Sequence, residues 1–137
     1  MPVENNGAPI RVLIADDHPL MRKGLADILD GVDGIEVVGS AEDGAAALAL
    51  SHALKPDIVL MDISMPGMDG IEATEKIVEL DSGARVVMLT SYSEREKITQ
   101  ALAAGAVSYL TKDSPPDAVI RAIRSAAAGS PDRTEPA

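Results

Sequence analysis

Five short apolar runs alternate with longer segments of helical period, and this alternation constrains the possible fold more than any other feature. The runs occupy residues 12–15, 35–38, 58–61, 86–89 and 107–110. Each run is almost wholly apolar, as expected of a strand that is covered on both faces. Strands that alternate with helices in this way predict an α/β fold with a doubly wound, five-stranded parallel sheet and helices on both faces.

Apolar residues at helical spacing predict the helices between these strands. Three such stripes run through residues 20–29, 71–78 and 119–123. Residues 45–53 are rich in Ala, which is a strong helix former with little apolar bulk. Ile98 and Leu102 lie four positions apart and predict a further helix over residues 94–104.

Composition and charge argue against several classes of function. The formal net charge of −10 leaves no basic run that could replace counterions along a phosphate backbone, so we do not expect this segment to bind nucleic acid by itself. The absence of Cys excludes disulfides and thiolate metal sites and fits a cytoplasmic protein. No apolar run approaches the ~20 residues of a membrane helix, so we expect a soluble protein without membrane contact.

The 137 residues suffice for one domain with its own core. We expect residues 1–9 to be a disordered segment and residues 10–128 to form the domain. Residues 129–137 combine Gly, Ser, Pro and charged residues without an apolar period, which is typical of a linker or a frayed tail.

Polar side chains stand at the carboxyl ends of four predicted strands. Asp16 and Asp17 follow the first strand, Asp62 the third, Thr90 the fourth and Lys112 the fifth. In an open parallel sheet, ligands bind beyond the carboxyl ends of the strands. We therefore expect these side chains to converge on one rim although they are far apart in sequence.

Three neighbouring carboxylates repel one another unless a cation or protons intervene. Mg²⁺ is a natural partner because it prefers a few carboxylates together with water and phosphate oxygens. Asp17 and Asp62 could bind it directly, and Asp16 directly or through water. A carboxylate can also attack phosphorus and form an acyl phosphate, for which a metal, a lysine and a hydroxyl supply positioning and charge neutralisation.

Each residue of this set also has a plainer interpretation. Asp16 and Asp17 could cap the following helix, which is an ordinary use of Asp. Thr90 could be a simple strand-end hydroxyl, and Lys112 a solvated surface lysine. His18 could be a ligand or an acid–base group, although its position favours the start of the first helix near the rim. The plainer interpretations weaken for the other residues because the whole set occurs together at strand ends.

Six short motifs occur at or just beyond the predicted strands and helices, in a fixed order. They are Asp16-Asp17-His18, Met61-Asp62-Ile63, Met65-Pro66-Gly67-Met68-Asp69-Gly70, Leu89-Thr90-Ser91, Gly105-Ala106 and Tyr109-Leu110-Thr111-Lys112. Over about residues 10–128 the chain therefore resembles the receiver domains of two-component response regulators. The resemblance implies the flavodoxin-like fold of those receivers.

The resemblance also implies the chemistry of the acidic cluster. It makes Asp62 the phosphoacceptor. Mg²⁺ would be held by Asp17, Asp62 and the backbone carbonyl of Ser64, with Asp16 assisting. The domain would promote only its own phosphorylation and dephosphorylation, and in that sense it is not expected to be an enzyme.

The resemblance implies roles for three further residues. Lys112 would contact the phosphoryl group, and Thr90 would donate a hydrogen bond to it. Tyr109 would be the switch aromatic, moving inward as Thr90 moves. The sequence departs from many receivers after the lysine, where Asp113 takes the place of a proline, so a cis peptide bond is not expected there.

The Asp-Asp-His motif and the sequence after Lys112 look most like those of LuxR-type regulators, whose receiver precedes a helix-turn-helix domain. This implies a sensor histidine kinase as partner, a homodimer on activation, and DNA contact only through an output domain absent from this chain. The alternative is a stand-alone receiver that acts as a phosphorelay carrier or protein-binding switch. A phosphatase-type hydrolase is disfavoured because Ser64 occupies the position where such enzymes place a second carboxylate.

Overall fold

The computed structural model describes residues 8–129 apart from the side chain of Tyr92, and it confirms the predicted α/β alternation. The strands are β1 Ile10–Ala15, β2 Ile35–Ala41, β3 Ile58–Asp62, β4 Arg85–Thr90 and β5 Ser108–Thr111. The helices are α1 Pro19–Asp30, α2 Gly44–Leu54, α3 Gly70–Glu79, α4 Ile98–Ala104 and α5 Pro116–Ala127. All strand pairs are parallel, and the strands lie in the order β2-β1-β3-β4-β5.

Alternate residues of the central strands feed two separate apolar cores, one on each face of the sheet. Leu13 of β1 joins the core beneath α2 and α3, whereas its neighbours Val12 and Ile14 join the core beneath α1 and α5. Every residue of β3 is buried. The continuous apolar run that predicted this strand is therefore explained by burial on both faces.

The predicted ends of the domain are only partly described. Residues 1–7, within the segment expected to be disordered, lie outside the described residues, as do residues 130–137 of the expected tail. Between these ends, no helix is long and apolar enough to cross a membrane. The peptide bonds of the described residues include no cis bond, in line with the expectation for Asp113.

The helix predicted over residues 94–104 is wrong in its first four residues. Tyr92–Lys97 form a 3₁₀ turn, and α4 begins only at Ile98. The turn starts with a capping box in which Ser91 and Glu94 exchange side-chain and backbone hydrogen bonds. Lys97 is the last residue of the turn and directly precedes α4.

The predicted apolar stripes are wider than the faces that become buried. Leu25 and Leu29 of α1 are buried, whereas Leu20 in its first turn is 85% exposed. Val78 and Leu102, at the edges of the other stripes, are also exposed. Periodicity identified these helices correctly but overstated which of their apolar residues contact the sheet.

Candidate functional site

The register of β1 and β3 brings two predicted acidic residues side by side. Ala15 pairs with Met61, so Asp16 and Asp62 follow at the same level of the sheet. Both side chains are almost wholly inaccessible, with 0% of the Asp16 side chain and 1% of the Asp62 side chain exposed. Two carboxyl groups are thus buried next to each other where β1 and β3 end.

The register of β4 and β5 brings the hydroxyl and the ammonium to the same rim. Thr90 pairs with Thr111, and the backbone N–H of Lys112 donates a 2.8 Å hydrogen bond to the carbonyl of Thr90. Lys112 Nζ lies 3.0 Å from Asp62 Oδ2 and 3.2 Å from Asp16 Oδ2. One ammonium therefore forms ion pairs with both buried carboxylates, and the solvated-lysine interpretation is wrong.

His18 stands at the edge of this cluster, immediately before α1. Its backbone N–H donates to Asp16 Oδ1 at 2.8 Å, and its Nδ1 lies 3.0 Å from the same oxygen. Its Nδ1 is also 3.2 Å from Asp17 Oδ1. The carboxylate of Asp16 accepts from the backbone N–H of His18, which lies before the first residue of α1. Asp16 therefore does not cap this helix as the plainer interpretation proposed.

The acidic cluster has the composition of a cation site. Ligand atoms of Asp16, Asp17, His18 and Asp62 all lie within 4.8 Å of one another. Asp16 Oδ2 and Asp62 Oδ2 are paired with the ammonium of Lys112, and Asp17 Oδ1 lies 3.2 Å from His18 Nδ1. Oxygen-rich, negatively charged surroundings of this kind fit a hard divalent cation such as Mg²⁺.

Burial and neighbouring charges shift the protonation equilibria of the cluster. Burial, together with the negative charge of Asp16, raises the pKa of Asp62 to about 7 against the opposing effect of Lys112. Burial alone would lower the pKa of Lys112, but hydrogen bonding and attraction from Asp62 and Asp16 outweigh it, so that pKa is raised. Lys112 consequently stays cationic at neutral pH, while Asp62 is poised between its two forms.

Thr90 and Tyr109, the two predicted switch residues, differ in their surroundings. Thr90 is fully buried, and its Oγ1 has no hydrogen-bond partner among the described residues. With Lys112 it lines a cavity of about 260 Å³ at the end of β4. Tyr109 is 48% exposed and faces a broad surface groove that it lines with Ile98 and Thr99 of α4. The inward movement of Tyr109 stays a prediction.

A bridge between two rim loops was not anticipated from the sequence. Lys97 Nζ donates to Ser64 Oγ at 3.4 Å, and Glu94 Oε1 accepts from the backbone N–H of Ser91 at 2.9 Å. Burial would raise the pKa of Glu94, but hydrogen bonds from Ser64 and Ser91 lower it. The 3₁₀ turn is thereby attached to the loop that follows Asp62. The Ser-x-x-Glu spacing of Ser91 and Glu94 signalled the capped turn but not its contact with Ser64.

Ser64 itself was predicted to offer its backbone carbonyl to the metal. The structure places it two residues beyond Asp62, with its N–H 3.4 Å from Asp62 Oδ1. The role of its carbonyl stays a prediction.

The loop after Asp62 is held close to the strand by its small and capping residues. Asp69 caps α3 by accepting from the N–H of Glu72 at 2.9 Å. The N–H of Gly70 donates to the carbonyl of Ile63 at 3.1 Å. A Cβ atom at Gly70 would collide with the backbone carbonyl of Asp62. Glycine is therefore required where α3 begins against the backbone of the site.

The family model for the response regulator receiver domain matches residues 12–124, which is most of the chain. The chain belongs to that family. The receiver domain resembles the transcriptional regulatory protein LiaR of Bacillus subtilis (strain 168), with 45% identity over 122 residues. That match covers 89% of this chain and 58% of LiaR. Across curated relatives of this kind, the chain spans only 52% to 58% of their length.

Solved structures give the same assignment. A two-component response regulator of the LuxR family from Aurantimonas sp. SI85-9A1 superposes with a TM-score of 0.83 and 36% identity, covering 90% of this chain and 88% of that one. A complex of CheX and CheY with BeF₃ and Mg²⁺ from Borrelia burgdorferi gives 0.78 and 33%, covering 88% and 90%. The predicted fold and the resemblance to LuxR-type receivers are thus confirmed.

Proposed function

We propose that this receiver domain accepts a phosphoryl group on Asp62 from a sensor histidine kinase, with Mg²⁺ as cofactor. The observation that best supports the proposal is the buried cluster in which Lys112 Nζ lies 3.0 Å from Asp62 and 3.2 Å from Asp16. A structural ion pair needs one carboxylate for one ammonium. Here two buried carboxylates share one ammonium, and such an excess of carboxylates at the strand ends suits a site that receives a cation and a reacting group.

Asp16, Asp17, Asp62 and the backbone carbonyl of Ser64 are the groups that would hold Mg²⁺. The metal would neutralise negative charge around the acceptor and around the incoming phosphoryl oxygens. The cluster of ligand atoms within 4.8 Å of one another fits this use. The related CheY complex, which contains BeF₃ and Mg²⁺, lends support by similarity.

The transfer itself forms one bond and breaks one. An ionised oxygen of Asp62 attacks phosphorus, the P–N bond to the kinase histidine breaks, and the electron pair returns to the imidazole. Lys112 stays cationic and offsets charge on the phosphoryl oxygens. Thr90 has a buried hydroxyl free to donate to one of them. The domain then promotes only the formation and hydrolysis of its own acyl phosphate.

For the protein as a whole, we propose a cytoplasmic transcriptional regulator. Residues 10–128 would be the receiver unit and 129–137 the start of a linker to a helix-turn-helix domain, with homodimerisation following phosphorylation. Support comes from relatives named as transcriptional regulators and from the 58% of LiaR that the chain spans. The alternative, a stand-alone receiver in a phosphorelay, would be favoured if the encoding reading frame held no basic helix-turn-helix sequence.

Incubation with a small phosphodonor and Mg²⁺, followed by intact-mass measurement, tests the central proposal. We expect the parent to gain one phosphoryl group and Asp62→Ala to gain none. Asp27→Ala serves as a matched control, because Asp27 is an exposed carboxylate of α1 paired with Lys23. Equal phosphorylation of the parent and Asp62→Ala, or of neither in the presence of Mg²⁺, would overturn the proposal.

A further inference from the structure

The side chain of Lys97 extends from one rim loop to the other. Lys97 is the last residue of the 3₁₀ turn after β4, and its exposed ammonium donates to Ser64 Oγ at 3.4 Å. Ser64 belongs to the loop after β3, and its N–H lies 3.4 Å from Asp62 Oδ1. A single residue, Ser64, thus separates the ammonium of Lys97 from the carboxylate of Asp62.

Hydrogen bonds fix the turn from which Lys97 extends. At the start of the turn, Glu94 Oε1 accepts from the N–H of Ser91 at 2.9 Å and from Ser91 Oγ at 3.0 Å. At its end, the N–H of Ile98 donates to the carbonyl of Arg95, and α4 follows directly. The backbone of Lys97 therefore has a defined position, and only its side chain has to move to meet a ligand.

Lys97 differs from Lys112 in what it binds. Lys112 Nζ already pairs with Asp62 Oδ2 and Asp16 Oδ2. Lys97 forms no ion pair with a carboxylate of the described residues, and its ammonium donates to a neutral hydroxyl. A chain of net charge −10 repels anions, so an ammonium at the mouth of the site acts locally on an anion that enters.

In-line phosphoryl transfer defines where the leaving group of a phosphodonor lies. The attacking oxygen and the leaving atom stand on opposite sides of phosphorus. Because the Asp62 side chain is 1% exposed, the leaving group points from the buried carboxylate towards solvent. Lys97 lies on that solvent side, whereas Lys112 lies against the carboxylate. Lys97 is therefore placed to act on the leaving group rather than on the phosphoryl oxygens.

We propose that Lys97 determines the phosphodonor preference of the site and favours acyl phosphates over phosphoramidates. The inference rests on the proposed phosphorylation of Asp62 and assigns a donor preference to that reaction. When acetyl phosphate reacts, the P–O bond breaks and the electron pair leaves on the acetate oxygen as a negative charge. When phosphoramidate reacts, the P–N bond breaks and the pair stays on a nitrogen that is already protonated, so neutral ammonia leaves. The ammonium of Lys97 stabilises the first leaving group and not the second.

The experiment compares the initial rates of phosphorylation by acetyl phosphate and by phosphoramidate, followed by intact mass at one Mg²⁺ concentration. Lys97→Gln removes the charge and keeps most of the side-chain length. We expect it to slow the reaction with acetyl phosphate by about two- to fourfold at an ionic strength of about 0.03 M, and the reaction with phosphoramidate by less than about 1.3-fold. The effect on acetyl phosphate should fall below about 1.5-fold in about 0.5 M salt, because salt screens exposed charges.

Two further variants serve as controls. Lys97→Arg keeps a cation at the same position and should retain the parent's ratio of the two rates. Lys23→Gln removes the same charge from α1, where the exposed ammonium of Lys23 pairs with Asp27 at 3.1 Å. It should leave the ratio unchanged, which separates a local effect of Lys97 from a change in net charge.

Several results would overturn the inference. Equal slowing with both donors in Lys97→Gln would assign Lys97 a structural effect, and no change with acetyl phosphate would remove it from donor selection. A loss that Lys97→Arg shares, or that persists at high salt, would exclude an effect of charge. Failure of the proposed function has a different signature, because the parent would then gain no phosphoryl group from either donor, or Asp62→Ala would gain as much as the parent.

Discussion

At the scale of single residues, Asp62 takes its properties from its neighbours. The sequence pattern predicted that Asp62 lies at the end of a strand, close to Asp16, Asp17 and Lys112. It could not give the raised pKa of Asp62, because that shift arises from burial and from the distance to Asp16, which only the packed sheet defines. The residues of the site could thus be predicted from the sequence, whereas the burial that shifts the pKa of Asp62 could not.

The raised pKa makes the stability of the metal-free domain depend on pH. Because Asp62 has a pKa of about 7 when folded and an ordinary value of 3.8, the folded domain keeps a proton that the unfolded chain has lost. The stabilisation that comes from this bound proton is fully present below the ordinary pKa of 3.8 and is lost as the pH rises through about 7. We expect the parent in chelator to unfold more easily at about pH 8 than at about pH 6, and Asp62→Asn to show a flatter dependence by chemical denaturation. Identical slopes for both proteins would contradict this expectation.

Lys112 supplies the counter-charge for two buried carboxylates. Lys112→Ala leaves Asp16 and Asp62 without a cation, and since the Lys112 side chain is 20% exposed, we expect a loss of about 1 to 3 kcal/mol at neutral pH. Saturating Mg²⁺ should stabilise this variant more than the parent, because it replaces the missing charge. Denaturation with and without Mg²⁺ measures both effects. Lys23→Ala, which breaks an exposed ion pair with Asp27, should cost less than about 1 kcal/mol. An equal cost for the two variants would contradict the expected stabilisation by the buried ion pairs of Lys112.

At the scale of elements, apolar periodicity and the Ala-rich segment together predicted the helices of the described residues, but one boundary was wrong. The helix expected over 94–104 is divided because Glu94 turns back to the N–H of Ser91 and so favours a tight turn before α4. A periodicity argument weighs only the apolar positions, which here are Ile98 and Leu102. The polar capping pattern carried the missing information, and the contact of Lys97 with Ser64 depended on tertiary structure alone.

The start of α3 depends on Gly70, because there is no room for a side chain at that position. Gly70→Ala would drive a Cβ into the carbonyl of Asp62, so we expect a destabilisation of about 1 to 3 kcal/mol and a displacement of Asp62. Gly24→Ala is the matched control, because Gly24 lies within α1 with nothing within 4 Å of an added Cβ. It should stabilise the domain by about 0.5 to 1 kcal/mol. Urea denaturation measures both, and a neutral Gly70→Ala would show that the loop yields without cost.

At the scale of the whole molecule, the site lies where the direction of winding changes. With the order β2-β1-β3, the connections that leave β1 and β3 run to opposite faces of the sheet, and a crevice opens between their carboxyl ends. This placement was predictable once the alternation of strands and helices was read. The groove beside Tyr109 was not, because it depends on how α4 packs against β5.

Asp16 and Asp62 lie at the ends of the paired strands β1 and β3. Because of this position, we expect metal binding to raise the free energy of unfolding of the whole domain. We expect Mg²⁺ at about 100 times its dissociation constant to stabilise the parent against urea by about 2.7 kcal/mol. Asp62→Ala, which lacks one of the buried carboxylates, should gain little. Comparable stabilisation of both proteins would place the responsible Mg²⁺ elsewhere.

The buried hydroxyl of Thr90 has a thermodynamic consequence. Its Oγ1 has no hydrogen-bond partner among the described residues and lines, with Lys112, the cavity at the end of β4. A buried polar group left without any partner costs about 1 to 3 kcal/mol. A group that enters this cavity with an acceptor oxygen is therefore favoured over an apolar group of the same size.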